Sequence, residues 1–390
     1  MNTNLNYSEI RDIMMQFAQI TGLINEGKKP VRYLWTDAFA VCNFLELYRQ
    51  SGDIVYIEIT LHLVDQVHNI LGRHRDDDER TGWISGLKEE DGKKHPTKGG
   101  LRIGKEMNER KPSDSYDSDM EWDRDGQYYH YLTKWMHALN RVSRVTGDAN
   151  YNRWAIELAR AVHAKFTYIP PGGGLKRMYW KMSIDLTYPL VMSMGHHDPL
   201  DGLITYLQLQ TTGKLEGDAS LPDLHEEITD MEGICTGKQW ATHDPLGLGG
   251  LLSDACRLIQ IIVLENLDYI GQLNEILTDI QKGMGYYVKN NHLKLPADYR
   301  LAFRELGLAI GLKGINKMEE IFKKNQKSFK DSNHLGLKIE SLKQYLYLDS
   351  LIENFWSKPE NQKAVSWNEH RHINMVMLAT SLAPDGFLNL

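Results

Sequence analysis

Cysteine is scarce in this chain. Three residues in 390, Cys42, Cys235 and Cys256, lie in apolar or helical contexts without a metal-ligand spacing. An odd, small number excludes a disulfide framework and fits a reducing compartment. Excess basic charge is missing as well: 45 Lys and Arg stand against 52 Asp and Glu, a net charge of -7. That balance argues against a nucleic-acid partner, whose phosphates need a basic face. Long apolar runs are also missing. The longest, residues 258–264, is interrupted by Gln260 and falls well short of the roughly 20 residues a bilayer span needs, so no membrane partner is expected. The polar start, Met1 to Asn6, has no basic segment followed by an apolar one, and the protein is expected in the cytoplasm. No Pro/Ser-rich linker or abrupt change of composition divides the chain, so one domain is expected over residues 1–390.

Period-two alternation is rare, while helical periodicity runs through most of the sequence. An early amphipathic helix carries Ile10, Ile13, Met14, Phe17, Ile20 and Ile24 at spacings of three and four. The next, from Trp35 to Arg49, is apolar on nearly every face and therefore belongs inside the protein. Ser51-Gly52-Asp53 then stops one helix and caps another, and Thr146-Gly147-Asp148 repeats that turn. His-Asp-Pro-Leu occurs at 197–200 and again at 243–246, 46 residues later, each time opening a helix in whose first turn proline is at home. About twelve principal helices result, amphipathic ones alternating with ones that must be surrounded by protein. Six inner helices within six outer ones make an all-α (α/α)6 toroid of six helical hairpins. A long Gly- and charge-rich insertion near residues 74–120 interrupts it, and long insertions often carry function.

The inferred inner helices begin near Trp35-Thr36-Asp37, Asp123 to Gln127, His197-Asp198, His243-Asp244, Asp298 to Arg300 and Trp367 to His372. Aspartate at a helix start is usually a cap, and a single histidine is usually a structural hydrogen-bonding group. Their joint recurrence at six starts points to one site, with aromatic rings to stack on sugar faces and carboxylates or histidines to move protons. The most charged start, Glu121-Trp122-Asp123-Arg124-Asp125-Gly126-Gln127, also suits a helix cap, with its charge meeting the helix dipole.

This layout resembles the six-hairpin glycosidase superfamily. Trp35-Thr36-Asp37-Ala38-Phe39 through Tyr48-Arg49-Gln50-Ser51-Gly52-Asp53 is similar to the early hairpin of the unsaturated glucuronyl hydrolases, and Asp125 is placed like a catalytic acid of those enzymes. The resemblance implies a glycoside hydrolase in which Asp125 protonates the leaving oxygen and Asp37 or Asp123 is the second carboxylate. A second resemblance is to the N-acylglucosamine 2-epimerases, which share the toroid and use late histidines. It implies a sugar epimerase or isomerase working through His243 and either His370 or His372. A sugar-binding protein without catalysis is the remaining alternative.

Sugar contacts are expected from Trp35, Trp122, Tyr128, Trp180, His197, Asp198, His243, Asp244, Arg300, Trp367, His370 and His372. In the insertion, Arg73 or Arg75 is expected to bind a substrate carboxylate beneath a lid, with Trp83 stacking on a ring. The acidic run Asp76 to Glu79 lacks the spaced ligands and central glycine of an EF-hand, so no metal is expected. Residues 99–104 lack the context of a nucleotide loop, and no cofactor is expected. The expected partner is a carbohydrate, as a small molecule or an oligosaccharide; the sequence leaves the oligomeric state open.

Overall fold

The computed structural model of the chain describes residues 3–25, 27–217, 221–290, 292–329 and 333–390. Helices dominate, as the periodicity predicts, and the described strands are two or three residues long. In chain order the longer helices are α1 (Thr3–Ile20), α2 (Leu34–Ser51), α3 (Val55–Leu71), α4 (Tyr129–Thr146), α5 (Ala149–Phe166), α6 (Asp198–Glu216), α7 (His225–Cys235), α8 (Pro245–Glu265), α9 (Ile270–Tyr287), α10 (Ala302–Lys324), α11 (Asn333–Leu342), α12 (Tyr347–Trp356) and α13 (Arg371–Leu382). The chain divides into two compact units, residues 18–236 and residues 1–17 with 237–390.

In residues 18–236, α2 packs on α3, α4 on α5 and α6 on α7, three hairpins in succession. The repeated Gly-Asp turns behave alike. Gly52 and Gly147 end α2 and α4 in the left-handed region, at φ of 71° and 75°, where an L side chain would be strained. Their N–H groups donate to the Tyr48 and Ser143 carbonyls at 2.7 and 2.8 Å. Asp53 and Asp148 then accept from the first turns of α3 and α5, from Val55 N and Asn150 N.

The inner helices α2, α4 and α6 lie side by side and parallel. At their starts the Tyr33 and Tyr131 hydroxyls share a hydrogen bond of 2.8 Å, and Lys134 donates to Asp201 at 2.7 Å. Further along, Gln208 donates to Asn140 at 2.7 Å and Arg144 to Thr212 at 2.8 Å. Inner helices have no water-facing side, so polar groups there must find one another.

The insertion between α3 and α4 is tied down by α4's approach strand, Gln127–Tyr128, which pairs with Lys181–Met182, itself paired with Pro189–Val191. The Gln127 amide donates to the Gly99 and Ile184 carbonyls and accepts from Leu101 N. Gly100 makes room for it: a Cβ there would stand 2.0 Å from Gln127 Oε1.

In the other unit, α8, α10 and α13 are the parallel inner helices. Arg304 pairs with Asp244 at the starts of α10 and α8. Phe303 N donates to Asn374 Oδ1 at 2.9 Å, and Lys313 Nζ reaches the Ser381 carbonyl at 2.7 Å. By length and composition α8, at 21 residues, could cross a membrane, although its most apolar run by itself is too short. Most of its surface is buried inside the protein, which is how a core helix looks.

Glycines let α8 and α10 touch backbone to backbone. A Cβ on Gly249 would lie 2.0 Å from the Gly307 carbonyl oxygen, and one on Gly311 would lie 2.6 Å from that of Gly249. Neither neighbour is a side chain that can swing aside. Gly249→Ala is therefore expected to lower stability by about 3 kcal/mol, the upper end for overpacking, read as the shift of the urea midpoint. An unchanged midpoint would contradict the close crossing.

Candidate active site

The charged stretch before α4 does not cap that helix. The residue ahead of α4 is Tyr128, which makes no side-chain cap, and Glu121 to Asp123 end a short helix of their own, Ser118–Asp123. Glu121 is buried and takes up Lys181 at 3.0 Å and Arg110 at 3.1 Å, and Asp123 is exposed.

Asp125 is completely buried. Its Oδ2 accepts from Arg102 at 2.7 Å and Arg75 at 3.2 Å, and its Oδ1 accepts from Gly104 N and Gly126 N at 3.0 Å each. With every lone-pair direction facing an N–H, it has no place for a proton to hand to a leaving group. The general-acid role expected of Asp125 therefore does not fit; it anchors the insertion.

The other carboxylates and cations expected in this region are engaged too. Asp37 accepts from Tyr33 N at 2.9 Å and faces Arg32 at 3.4 Å. Burial lifts its pKa to about 6 against the opposing pull of Arg32. Arg75 also donates to the Lys105 and Glu106 carbonyls at 2.5 Å each, and to Asp77. Arg73 Nη2 donates to both carboxylate oxygens of Glu89, and the guanidinium lies 4.3 Å above the Trp83 ring. Trp83 is itself buried and donates to Glu89. The expected lid contacts of Arg75 and Trp83 are thus internal contacts of the insertion.

What the starts of α2 and α4 do bring together is a cluster of rings. Trp35 lies 5.9 Å from His130 and 5.3 Å from Tyr131. Tyr128 lies 5.3 Å from both His130 and Trp180, and Trp180 stacks on His130 at 6.2 Å. Trp122, half-exposed, meets the edge of Trp180 at 5.2 Å. Trp35, Trp122, Tyr128 and Trp180, expected as sugar contacts, therefore do sit together.

Three buried polar atoms in and beside this cluster have no hydrogen-bond partner within the protein: Trp35 Nε1, His130 Nδ1 and Asp198 Oδ2. Each such atom costs about 1–3 kcal/mol, and three at one place call for an explanation in function.

Asp198 owes its freedom to a shift of one residue between the two His-Asp-Pro-Leu motifs. The helix α8 begins at Pro245, so Asp244 is the preceding residue and caps it, accepting from Gly247 N at 2.8 Å. The helix α6 begins at Asp198 itself, with His197 in the preceding place, and the Asp198 carboxyl is left over. It is covered by backbone, since a Cβ on Gly195 would lie 2.4 Å from its Oδ2. Burial, and then the neighbouring Asp201, lift its pKa from 3.8 to about 7, with Lys134 opposing. His130 Nδ1 stands 3.8 Å from Asp198 Oδ1. Burial, with Lys134 helping, drives the imidazole down to about 3. Both shifts disfavour an ion pair: they favour a neutral imidazole beside a carboxyl held well above the usual carboxylate range.

His130 is the residue that sequence reasoning missed. The signal was present as a histidine inside the aromatic run 128–131, in the first turn of an inner helix, but the run reads as core packing.

In the other unit, Asp244 and His370 flank the start of α10. Asp244 pairs with Arg304, and the His370 ring meets Phe303 at 5.3 Å. His243 and His370 are exposed, and His372 meets Phe17 edge-on at 6.4 Å. Arg300 and Trp367 belong to the packing instead of a rim. Arg300 is buried, bidentate to Glu305 and 3.7 Å from the Phe355 ring centre. Trp367 is buried and stacks on Trp356 at 5.7 Å.

A cavity of about 350 Å³ lies beside Arg300, Tyr287 and Phe355, and one of about 540 Å³ lies beside Arg73, His74 and Arg75. Neither takes in His130 or Asp198. Among the described residues no group of three or more His, Cys, Asp or Glu side chains is arranged to hold a metal ion.

No family model and no curated protein matches this chain. Solved structures do. The cellobiose 2-epimerase of Bacillus thermoamylovorans B4167 aligns at 12% identity over 98% of this chain and 99% of that one, with a TM-score of 0.48. A D-mannose isomerase aligns at 10% over 98% of each chain, with a TM-score of 0.48. The cellobiose 2-epimerase of Spirochaeta thermophila DSM 6192 aligns at 10% over 89% of this chain and 86% of that one, with a TM-score of 0.46. All three are sugar-converting proteins by name.

Proposed function

We propose that this chain is a carbohydrate-active enzyme that interconverts sugars, an epimerase or isomerase acting by proton transfer at the aromatic cluster of residues 18–236. One observation carries the proposal: His130 Nδ1 and Asp198 Oδ2 are buried without hydrogen-bond partners, and the imidazole and the carboxyl face each other beside the stacked rings, with Nδ1 3.8 Å from Oδ1. A group with pKa near 7 is suited to both taking and returning a proton at neutral pH. Asp198 would take the proton from the carbon next to the carbonyl of an open-chain sugar while the His130 N–H binds the carbonyl oxygen. The electron pair of the broken C–H bond forms the C=C bond of an enediolate, and the carbonyl π pair moves onto the oxygen that the His130 N–H holds. Return of the proton to the neighbouring carbon, with the hydroxyl proton passed from one oxygen to the other through the His130 imidazole, isomerises the sugar; return to the same carbon after the enediolate has turned its other face to Asp198 epimerises it. A carboxylate base beside a neutral imidazole is the same division of labour that triosephosphate isomerase uses. The ring faces supply the stacking surface for the sugar. This mechanism rests on Asp198 and His130 and assigns no step to His243, His370 or His372.

A glycoside hydrolase is the second reading, favoured by the same Asp198, whose raised pKa suits a general acid. The second carboxylate that hydrolysis needs is less well supplied: Asp37 and Asp125 each face arginine, and Asp123 is exposed. Incubation in D2O with an aldose, a ketose and a disaccharide, followed by NMR, separates these readings. Interconversion with deuterium entering beside the carbonyl is the expected result. New reducing ends without exchange would replace the proposal with hydrolysis, and saturable binding with neither would leave a sugar-binding protein.

A further inference from the structure

We infer that the sugar taken at this site carries an anionic group, a carboxylate or a phosphate, and that Lys105 binds it; this rests on the sugar-processing reading above. Lys105 Nζ stands 5.6 Å from the centre of the Tyr33 ring, and Tyr33 is hydrogen-bonded to Tyr131 of the cluster. The ammonium is therefore two rings, Tyr33 and Tyr131, removed from Trp35 and His130. Another cation touching these rings is already neutralised: Lys181, 5.2 Å above Tyr128, is bound to Glu121. Lys134 is likewise bound to Asp201, and Arg75 and Arg102 to Asp125. Lys105 has no carboxylate within ion-pairing distance among the described residues. Asp123 and Asp125 act on it only from farther away, and burial, the larger effect, holds its pKa below the usual lysine range.

An ammonium partly withdrawn from water without a counter-ion is costly, yet the protein builds its position with care. The Arg75 guanidinium holds the Lys105 and Glu106 carbonyls at 2.5 Å each. Asp125, bound to the same arginine, holds Gly104 N. Residues 104–106 are thus fixed on both sides of the Lys105 Cα by one buried ion pair. Arg75 is not the anion receptor that its place in the insertion suggests; it positions the residue that is. Lys105 supplies a point charge on a flexible stem, which accepts a carboxylate or a phosphate equally.

The test is calorimetric titration of the full chain with D-glucuronate, D-glucose 6-phosphate and D-glucose. At least one anionic sugar is expected to bind about tenfold or more tighter than glucose, in keeping with a charge-assisted contact. Its affinity should weaken as NaCl is raised. Whichever anion binds tighter identifies the source of the charge. Lys105→Met should erase most of the preference for the anion and Lys105→Arg should keep part of it, each checked for folding by thermal melting. Equal affinity for glucose and both anions overturns the inference, as does a preference that survives in Lys105→Met. If glucose binds equally well and Trp180→Ala weakens it, only the anion assignment fails. If none of the three sugars binds, the sugar reading falls with it.

Discussion

Asp198→Asn is expected to reduce turnover by at least about 100-fold, the lower range for losing a general acid or base, without costing the protein stability. The carboxyl titrates near 3.8 when exposed and at about 7 in the folded chain, so the folded state holds its proton more tightly than the unfolded one. Stability from this group is fully present below about pH 4. It is lost as pH rises through 7, by on the order of 4 kcal/mol if the whole shift is expressed. Asparagine is neutral throughout and escapes that loss. The variant should match the parent at pH 4 and exceed it increasingly up to pH 8, as read from urea midpoints across that range. A stability difference that does not change with pH would contradict the buried carboxyl. Unchanged turnover would remove Asp198 from the mechanism.

Asp125→Ala should show the opposite pattern. Arg75 and Arg102, whose side chains are 12% and 9% exposed, would lose their shared anion while remaining largely buried. Removing one partner from such a buried set costs about 3–5 kcal/mol, so a large fall in the urea midpoint is expected. Turnover per folded molecule, measured at low temperature, should fall less than in Asp198→Asn, because Asp125 acts on the loop at residues 104–106 and not on the reacting atoms. A variant of parental stability with abolished turnover would restore Asp125 to the acid role that its place in the sequence suggests.

The two aspartates mark how far the sequence could be read. Helix type and order were legible because 3.6-residue periodicity and the Gly-Asp turns are local, and α2 is buried over the stretch where its polar face is missing. The gathering of Trp35, Trp122 and Tyr128 followed from their places at or near helix starts, whereas Trp180 joins them from the segment of short strands between α5 and α6. The roles of individual charges did not follow, because they depend on partners far along the chain. Arg102 meets Asp125 across 23 residues, and Arg80 meets Asp185 across 105. No spacing rule distinguishes a free carboxyl from one so engaged. The motif shared by residues 197–200 and 243–246 is the sharpest case. Identical letters give a cap in one copy and an unpartnered carboxyl in the other, because the two helices start one residue apart.

The parallel setting of α2, α4 and α6 has an electrical consequence. Each helix carries roughly half a positive charge at its N-terminus, and because the three run the same way their macrodipoles add at the end where the rings and Asp198 lie. An anion held there meets the N-terminal ends of three helices at once, an attraction felt within about the first turn of each. For the anionic sugar inferred above, the helix ends would therefore add to the attraction that Lys105 supplies.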